Sequence, residues 1–172
     1  MSSARNNISA MIEGALCIAL SVVLTKVNLF KMPNGGSVDL ELVPLMLFAF
    51  RHGVKFGVGT GALCGIVKIL TGGYFFNVIQ VFLDYPLAYA FSGLSGFKIK
   101  ILGILMAASG QIISHVISGA VFFAEYAPAG QNAWLYSLIY NAPVITVKYV
   151  LSGFIAMILC KALNSLVPSK KN

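Results

Sequence analysis

Asp84 lies in the middle of the apolar stretch NVIQVFLDYPLAYA, residues 77–90, and a carboxylate there demands a chemical reason. At mid-bilayer depth it costs about 2.5–3.5 kcal/mol on insertion scales, and such a group turns to the interior of a helix bundle. Asn77, Gln80 and Asp84 fall at i, i+3 and i+7, on one helix face. Two further apolar runs hold isolated polar side chains: Gln111 and His115 in one, Ser137 and Asn141 in the other. Tyr85, Phe122, Phe123, Trp134, Tyr136 and Tyr140 gather near the same level, Trp134 also suiting an interfacial belt. A carboxylate beside aromatic faces suits a flat, cationic heteroaromatic ligand, each desolvated face adding about 0.5–2 kcal/mol. A membrane carboxylate also suits the proton carrier of an exporter, but no matching polar half-site stands toward the other end. Polar residues of this kind otherwise serve as glue between helices.

The elements that must hold these groups are membrane spans. Of 172 residues 58% are hydrophobic and 10% charged, against roughly 25% charged in soluble domains, which argues against a water-soluble globule. The net charge of +7 does not point to nucleic acid, because the basic residues sit singly at the ends of apolar runs. One membrane domain over 1–172 is expected, an all-α bundle of six transmembrane helices at about 8–29, 38–52, 54–72, 75–97, 100–125 and 133–163. No cleavable signal peptide is evident. Arg5, Arg51, Lys55, Lys98, Lys100, Lys161, Lys170 and Lys171 fall on alternate loops and both termini. By the positive-inside rule both termini are then cytoplasmic, in a multi-pass protein of the cell membrane.

Helical rise sets the depths. Asp84 lies about 14 Å in from Phe75, His115 about 22 Å up from Lys100, and Asn141 about 12 Å in from Ala133. The three converge in the outer half of the membrane, and a ligand pocket is expected there. Gly57, Gly61 and Gly65 are spaced for close helix packing, and Ala15 and Ala19 form a small-xxx-small pair on the first helix. The loop MPNGGSV (32–38) is either a lid or a plain connection. Lys68, near the outer end of its segment, has room to snorkel, whereas Lys148 is deep and needs a partner that spacing does not name. Cys17, Cys64 and Cys160 lack CxxC spacing and read as buried free thiols. There is no nucleophile–base pair, no metal-ligand spacing and no P-loop, so no enzyme activity, catalytic residue, metal or cofactor is expected.

At MPNGGSV (32–38), FRHGVKFGVGTG (50–61), FLDYPLAYA (82–90), HVISGAVFF (115–123) and WLYSLIYNA (134–142) the chain resembles the thiamine-specific S-components (ThiT or YuaJ type) of energy-coupling factor (ECF) transporters. The resemblance implies a high-affinity subunit that captures thiamine from outside. It would transport only with an ECF transmembrane coupling protein and two ABC ATPases. By position it implies ligand contacts at Asp84, Tyr85, His115, Phe123, Tyr136 and Asn141, with Gln111 where a lysine can occur and Trp134 nearby. Asp84 would meet the aminopyrimidine or the thiazolium, His115 and Asn141 ring nitrogens, and the aromatics would stack. Ala15 and Ala19 would dock the coupling protein. The segment Gly35 to Asp39 departs from the pattern: it has no tryptophan, and only Asp39 is placed to stand for a glutamate. Rival expectations are an S-component for hydroxymethylpyrimidine or riboflavin, which lack a fixed positive charge, and a proton-coupled exporter of cationic drugs.

Overall fold

The computed structural model describes residues 2–33 and 36–166. Lys170, Lys171 and loop residues 34–35, which carry part of the orientation and lid expectations, lie outside the described residues. Helix α1 (Ser2–Leu24) is followed by a hairpin of β1 (Asn28–Lys31) and β2 (Ser37–Asp39). Then come α2 (Leu42–Leu70), α3 (Val78–Phe82), a π-helical turn (Leu83–Leu87), α4 (Ala88–Ser92) and a 3-10 turn (Gly93–Gly96). Helices α5 (Lys100–Phe122) and α6 (Ala133–Leu166) complete the chain, with a short 3-10 turn (Ala124–Tyr126) between them.

Among the described residues four helices are long and apolar enough to cross a membrane: Asn7–Leu24, Leu42–Leu70, Lys100–Phe122 and Ala133–Leu163. Large apolar side chains such as Met11, Leu16, Leu105, Val150 and Phe154 face outward, an outer surface that suits lipid rather than water. Inside, Leu42, Val43, Leu45 and Met46 of α2 pack with Ala88, Tyr89, Ala107, Ile145 and Tyr149.

Two expected boundaries shift. The first helix stops at Leu24 instead of residue 29, where Lys26 and Val27 N–H close onto the carbonyls of Val23 and Leu24 at 3.0 and 3.1 Å. Asn28, Phe30 and Lys31 pair antiparallel with Asp39, Val38 and Ser37, so residues 38–41 are strand and turn rather than helix. Strand pairing satisfies backbone groups that a helix could not carry past Pro33.

Helix α2 breaks at Gly53, whose φ of 80° and ψ of 178° suit a residue without a Cβ. A Cβ on Gly57 would lie 2.7 Å from that of Ala49. In a straight helix eight residues span about 12 Å, so the chain doubles back here. Glu13 of α1 holds the turn, pairing with Arg51 at 3.1 Å and His52 at 2.8 Å.

The returning half of α2 packs on the segment that carries Asp84. A Cβ on Gly61 would sit 2.1 Å from the Tyr89 carbonyl oxygen, and one on Gly65 2.4 Å from that of Tyr85. The glycine row is therefore a backbone-to-backbone seam. Gly61→Ala should cost about 1–3 kcal/mol by forcing the helices apart. Gly59→Ala, where a Cβ meets nothing within 4 Å, should leave thermal melting of the purified protein unchanged. Equal melting of the two variants would refute the seam.

The expected helix 75–97 is composite. Its first turn begins at Val78, where the Asn77 side chain accepts the Ile79 N–H at 2.8 Å. Pro86 has no N–H to give, and the backbone widens into the π turn. Ser114 Oγ of α5 donates to the Leu83 carbonyl at 2.6 Å, a side-chain bond of the kind that lets membrane helices tolerate proline. Asp84 rides on this widened turn.

Candidate ligand-binding site

Asp84 sits in a relay of polar side chains. Gln80, 1% exposed, donates from Nε2 to Asp84 Oδ2 at 2.6 Å, while its Oε1 accepts the Phe76 N–H at 3.1 Å. His115 Nδ1 donates to Asp84 Oδ1 at 3.1 Å, and Gln111 Nε2 lies 3.4 Å from His115 Nε2. Asn77 is spent as the exposed helix cap, so only Gln80 and Asp84 of the expected trio share a polar role. Counting from Val78, Asp84 lies about 9 Å into its helix, close to the about 10 Å of His115 from the end of α5 and the about 12 Å of Asn141 from Ala133.

Helix α6 supplies the facing wall. Ser137 Oγ donates to the Val116 carbonyl at 3.0 Å, and Asn141 Nδ2 donates to the Ser137 carbonyl at 2.9 Å. Gly119 makes this approach feasible, since a Cβ there would lie 2.2 Å from Ser137 Oγ. Aromatic rings surround the opening. Phe123 lies 6.0 Å from Tyr74, 6.2 Å from Phe76 and stacks on Tyr126 at 6.2 Å, while Tyr136 and Tyr140 are 5.8 Å apart. Tyr85 hydroxyl accepts the Tyr74 N–H at 2.6 Å.

These groups enclose a cavity of about 690 Å³, which Asp84, Tyr85, Gln111, His115, Phe123, Tyr136 and Asn141 all line. That is room for one small organic molecule. Trp134 does not line it. The residue is 53% exposed at the start of α6, as suits a belt residue at the membrane interface rather than a pocket wall.

The cavity has a second polar wall that the sequence analysis missed. Glu41, at the turn between β2 and α2 and 2% exposed, is the centre of a knot. It takes hydrogen bonds from Thr25 Oγ1 at 2.8 Å and Tyr89 hydroxyl at 2.6 Å. It also forms ion pairs with Lys68 and Lys148. Lys148 reaches Asp39 as well, at 3.2 Å. Lys68 therefore does not snorkel: it is 8% exposed, because a carboxylate beside it offers more than the distant interface. The five acids of the chain held the clue, since two lysines deep in apolar helices need counter-ions, and only Asp39 and Glu41 open an apolar run.

The comparisons with known proteins bear on this arrangement. Residues 11–168 match the family described as Thiamine transporter protein (Thia_YuaJ). The chain belongs to that family. The thiamine transporter ThiT of Bacillus subtilis (strain 168) is 36% identical over 182 residues, covering 94% of this chain and 95% of that protein. The thiamine transporter ThiT of Lacticaseibacillus paracasei is 29% identical over 153 residues, 76% of each. A solved structure of ThiT from Listeria monocytogenes superposes with a TM-score of 0.84 at 24% identity, covering 94% of this chain and 98% of that one, and shows the same fold.

In this Thia_YuaJ chain two acids follow the first loop, Asp39 and Glu41. Asp39 does not line the cavity. It is fully buried, accepting from Ser37 Oγ at 2.7 Å and the Glu41 N–H at 3.0 Å. The cavity-lining acid of this region is Glu41. Met32, Pro33, Gly36 and Ser37 of the hairpin also line the cavity, so the loop read as lid or connection forms part of its wall. Ala15 and Ala19 are both exposed on α1, away from the cavity.

Proposed function

We propose that this chain is the thiamine-capture subunit of an energy-coupling factor importer in the bacterial plasma membrane. As one membrane domain it crosses the bilayer six times, with both termini cytoplasmic and the cavity opening outward. The return of α2 at Gly53 supports counting its halves as separate crossings, the first short and tilted. The composite segment 78–96 is the fourth.

The observation that carries the ligand assignment is Asp84. It is 16% exposed, lines an aromatic-walled cavity of single-ligand size, and has no lysine or arginine partner among the described residues. The cavity ammoniums of Lys68 and Lys148 are by contrast already held by carboxylates. A fixed organic cation supplies what Asp84 lacks, and thiamine, carried in the names of both curated relatives, has one. Free thiamine suits the Asp84 end of the cavity better than an anionic phosphate does, because the Asp84 carboxylate repels a second negative charge. Tyr85, Phe123 and Tyr136 stack on the rings, and Asn141 bonds a ring nitrogen.

The test is calorimetry on the purified chain without partners. Nanomolar affinity corresponds to about 12 kcal/mol, and no binding of thiamine by the folded protein would overturn the assignment. The exposed Ala15–Ala19 face of α1 is the docking surface for the coupling protein, which with two ABC ATPases drives transport. Ala15→Asp should abolish uptake in cells that express all subunits while thiamine affinity stays within about twofold. Equal loss of binding would remove α1 from the docking role.

A further inference from the structure

Gln80 and Tyr89 both line the cavity, although a regular α-helix would hold them apart. Nine residues at about 100° each make two and a half turns, so the two side chains would leave opposite faces. The π turn at Leu83–Leu87 removes the conflict. Such a turn takes one residue more than an α turn, which gives back about 100° of rotation and leaves Gln80 and Tyr89 about 80° apart. Asp84 gains in the same way. Tyr89, five residues on, would stand about 140° from it around an α-helix, and here the two line one cavity. The cause of the widening is Pro86. In an α-helix the N–H of residue 86 would serve the Phe82 carbonyl, but proline has no N–H and its ring presses on that same carbonyl. The π spacing passes the task one residue on, to Leu87.

The halves on either side of this turn are held by different neighbours. Downstream, the returning part of α2 lies directly on the backbone: a Cβ on Gly61 would sit 2.1 Å from the Tyr89 carbonyl oxygen, and one on Gly65 2.7 Å from the Pro86 nitrogen. Upstream, Ser114 of α5 donates to the carbonyl of Leu83 at 2.6 Å, one residue before Asp84. We infer that Pro86 and Ser114, neither of which lines the cavity, are positioning residues for the ligand. Pro86 keeps the turn one residue wide, Ser114 clamps it, and together they aim the Asp84 carboxylate into the cavity. The inference rests on the thiamine assignment above and extends it to residues that do not touch the ligand.

The test is calorimetry with thiamine on purified variants whose melting is measured in parallel. Pro86→Ala returns an N–H to residue 86, which lets the turn close to the commoner α spacing and rotates Asp84 out of line. Affinity should fall roughly 30-fold or more, as for a lost charge partner. In an Asp84→Asn background the same change should cost no more than about threefold, because a carboxylate that is absent cannot be misaimed. A purely structural role predicts losses that add. Deleting residue 86 removes the proline together with the extra residue. The turn then closes with Gln80, Asp84 and Tyr89 still on one face, and affinity should stay within about tenfold of wild type. Ser114→Ala should weaken binding roughly three- to tenfold, again only where Asp84 is present. That second cycle decides the matter should neither change at residue 86 fold. Affinity unchanged in folded Pro86→Ala and in Ser114→Ala, or losses that add to that of Asp84→Asn, overturns the inference and leaves the proposed function standing. A folded deletion variant that binds no better than Pro86→Ala overturns it too. A folded wild type that does not bind thiamine overturns the proposed function itself.

Discussion

Replacing Asp84 by Asn is expected to weaken thiamine binding by roughly 30- to 5,000-fold, the 2–5 kcal/mol that follows from removing one partner of a buried charge pair. Two effects add. The thiazolium loses its counter-charge in a place where water cannot substitute. The relay also loses its polarity: Asp84 accepts from Gln80 and from His115, and an asparagine can accept with only one end. Gln80 cannot simply turn over in response, because its Oε1 already holds the Phe76 N–H. The two effects separate experimentally. A neutral aminopyrimidine fragment, without the thiazolium, should lose affinity only through the relay, by no more than about tenfold. Calorimetry with both ligands, on protein whose melting is measured in parallel, checks this. Equal loss for cation and neutral fragment would place Asp84 against the aminopyrimidine instead. An unchanged affinity for thiamine would take Asp84 out of the site.

The second large effect is expected at Glu41, in stability. Four donors from four different segments converge on it: Thr25, Lys68, Tyr89 and Lys148. Glu41→Gln leaves two buried ammoniums facing one carboxylate, Asp39, and an uncompensated buried charge of this kind costs about 3–5 kcal/mol. The melting temperature of the purified protein should fall steeply. The cost should be relieved by deleting a cation. Glu41→Gln with Lys68→Met reduces the knot to the Asp39–Lys148 pair and should regain more than half of the loss, an interaction energy that a double-mutant cycle reads directly. If the double variant is less stable than Glu41→Gln alone, Lys68 stabilises the fold through packing rather than through charge. Thr25 stands at the end of α1, so the knot also ties that helix to the cavity wall.

The depth of Asp84, His115 and Asn141 was legible in the chain because helical rise is a local property: 1.5 Å per residue converts sequence position into height wherever a helix can be recognised. Hydrophobic run length did the same for the four helices that are long and apolar enough to cross a membrane. The glycine row 57, 61, 65 was legible as a packing face for a related reason, since spacing places residues on one side of a helix without knowledge of the neighbour. The neighbour itself, the Tyr85–Gly93 backbone, was not.

What local periodicity could not supply was pairing at a distance. Lys148 and Glu41 are separated by 107 residues, and no local rule links them. Only the packing of α6 against the start of α2 makes them neighbours and turns two apparently isolated lysines into a neutral knot. The hairpin was hidden because Val27, Leu29 and Phe30 extend the apolar pattern past the end of the first helix, and the backbone pairing there depends on the distant Ser37–Asp39. Trp134 was legible only as either a belt residue or a cavity neighbour, because depth does not determine direction; at the head of α6 it is exposed and does not line the cavity. The chain alone thus determined a bundle of apolar helices and a band of polar groups at one depth, both consequences of residue type and helical geometry. Tertiary structure alone decided which polar groups face the cavity and which are spent on one another, because hydrogen-bond partners exist only once the chain is folded.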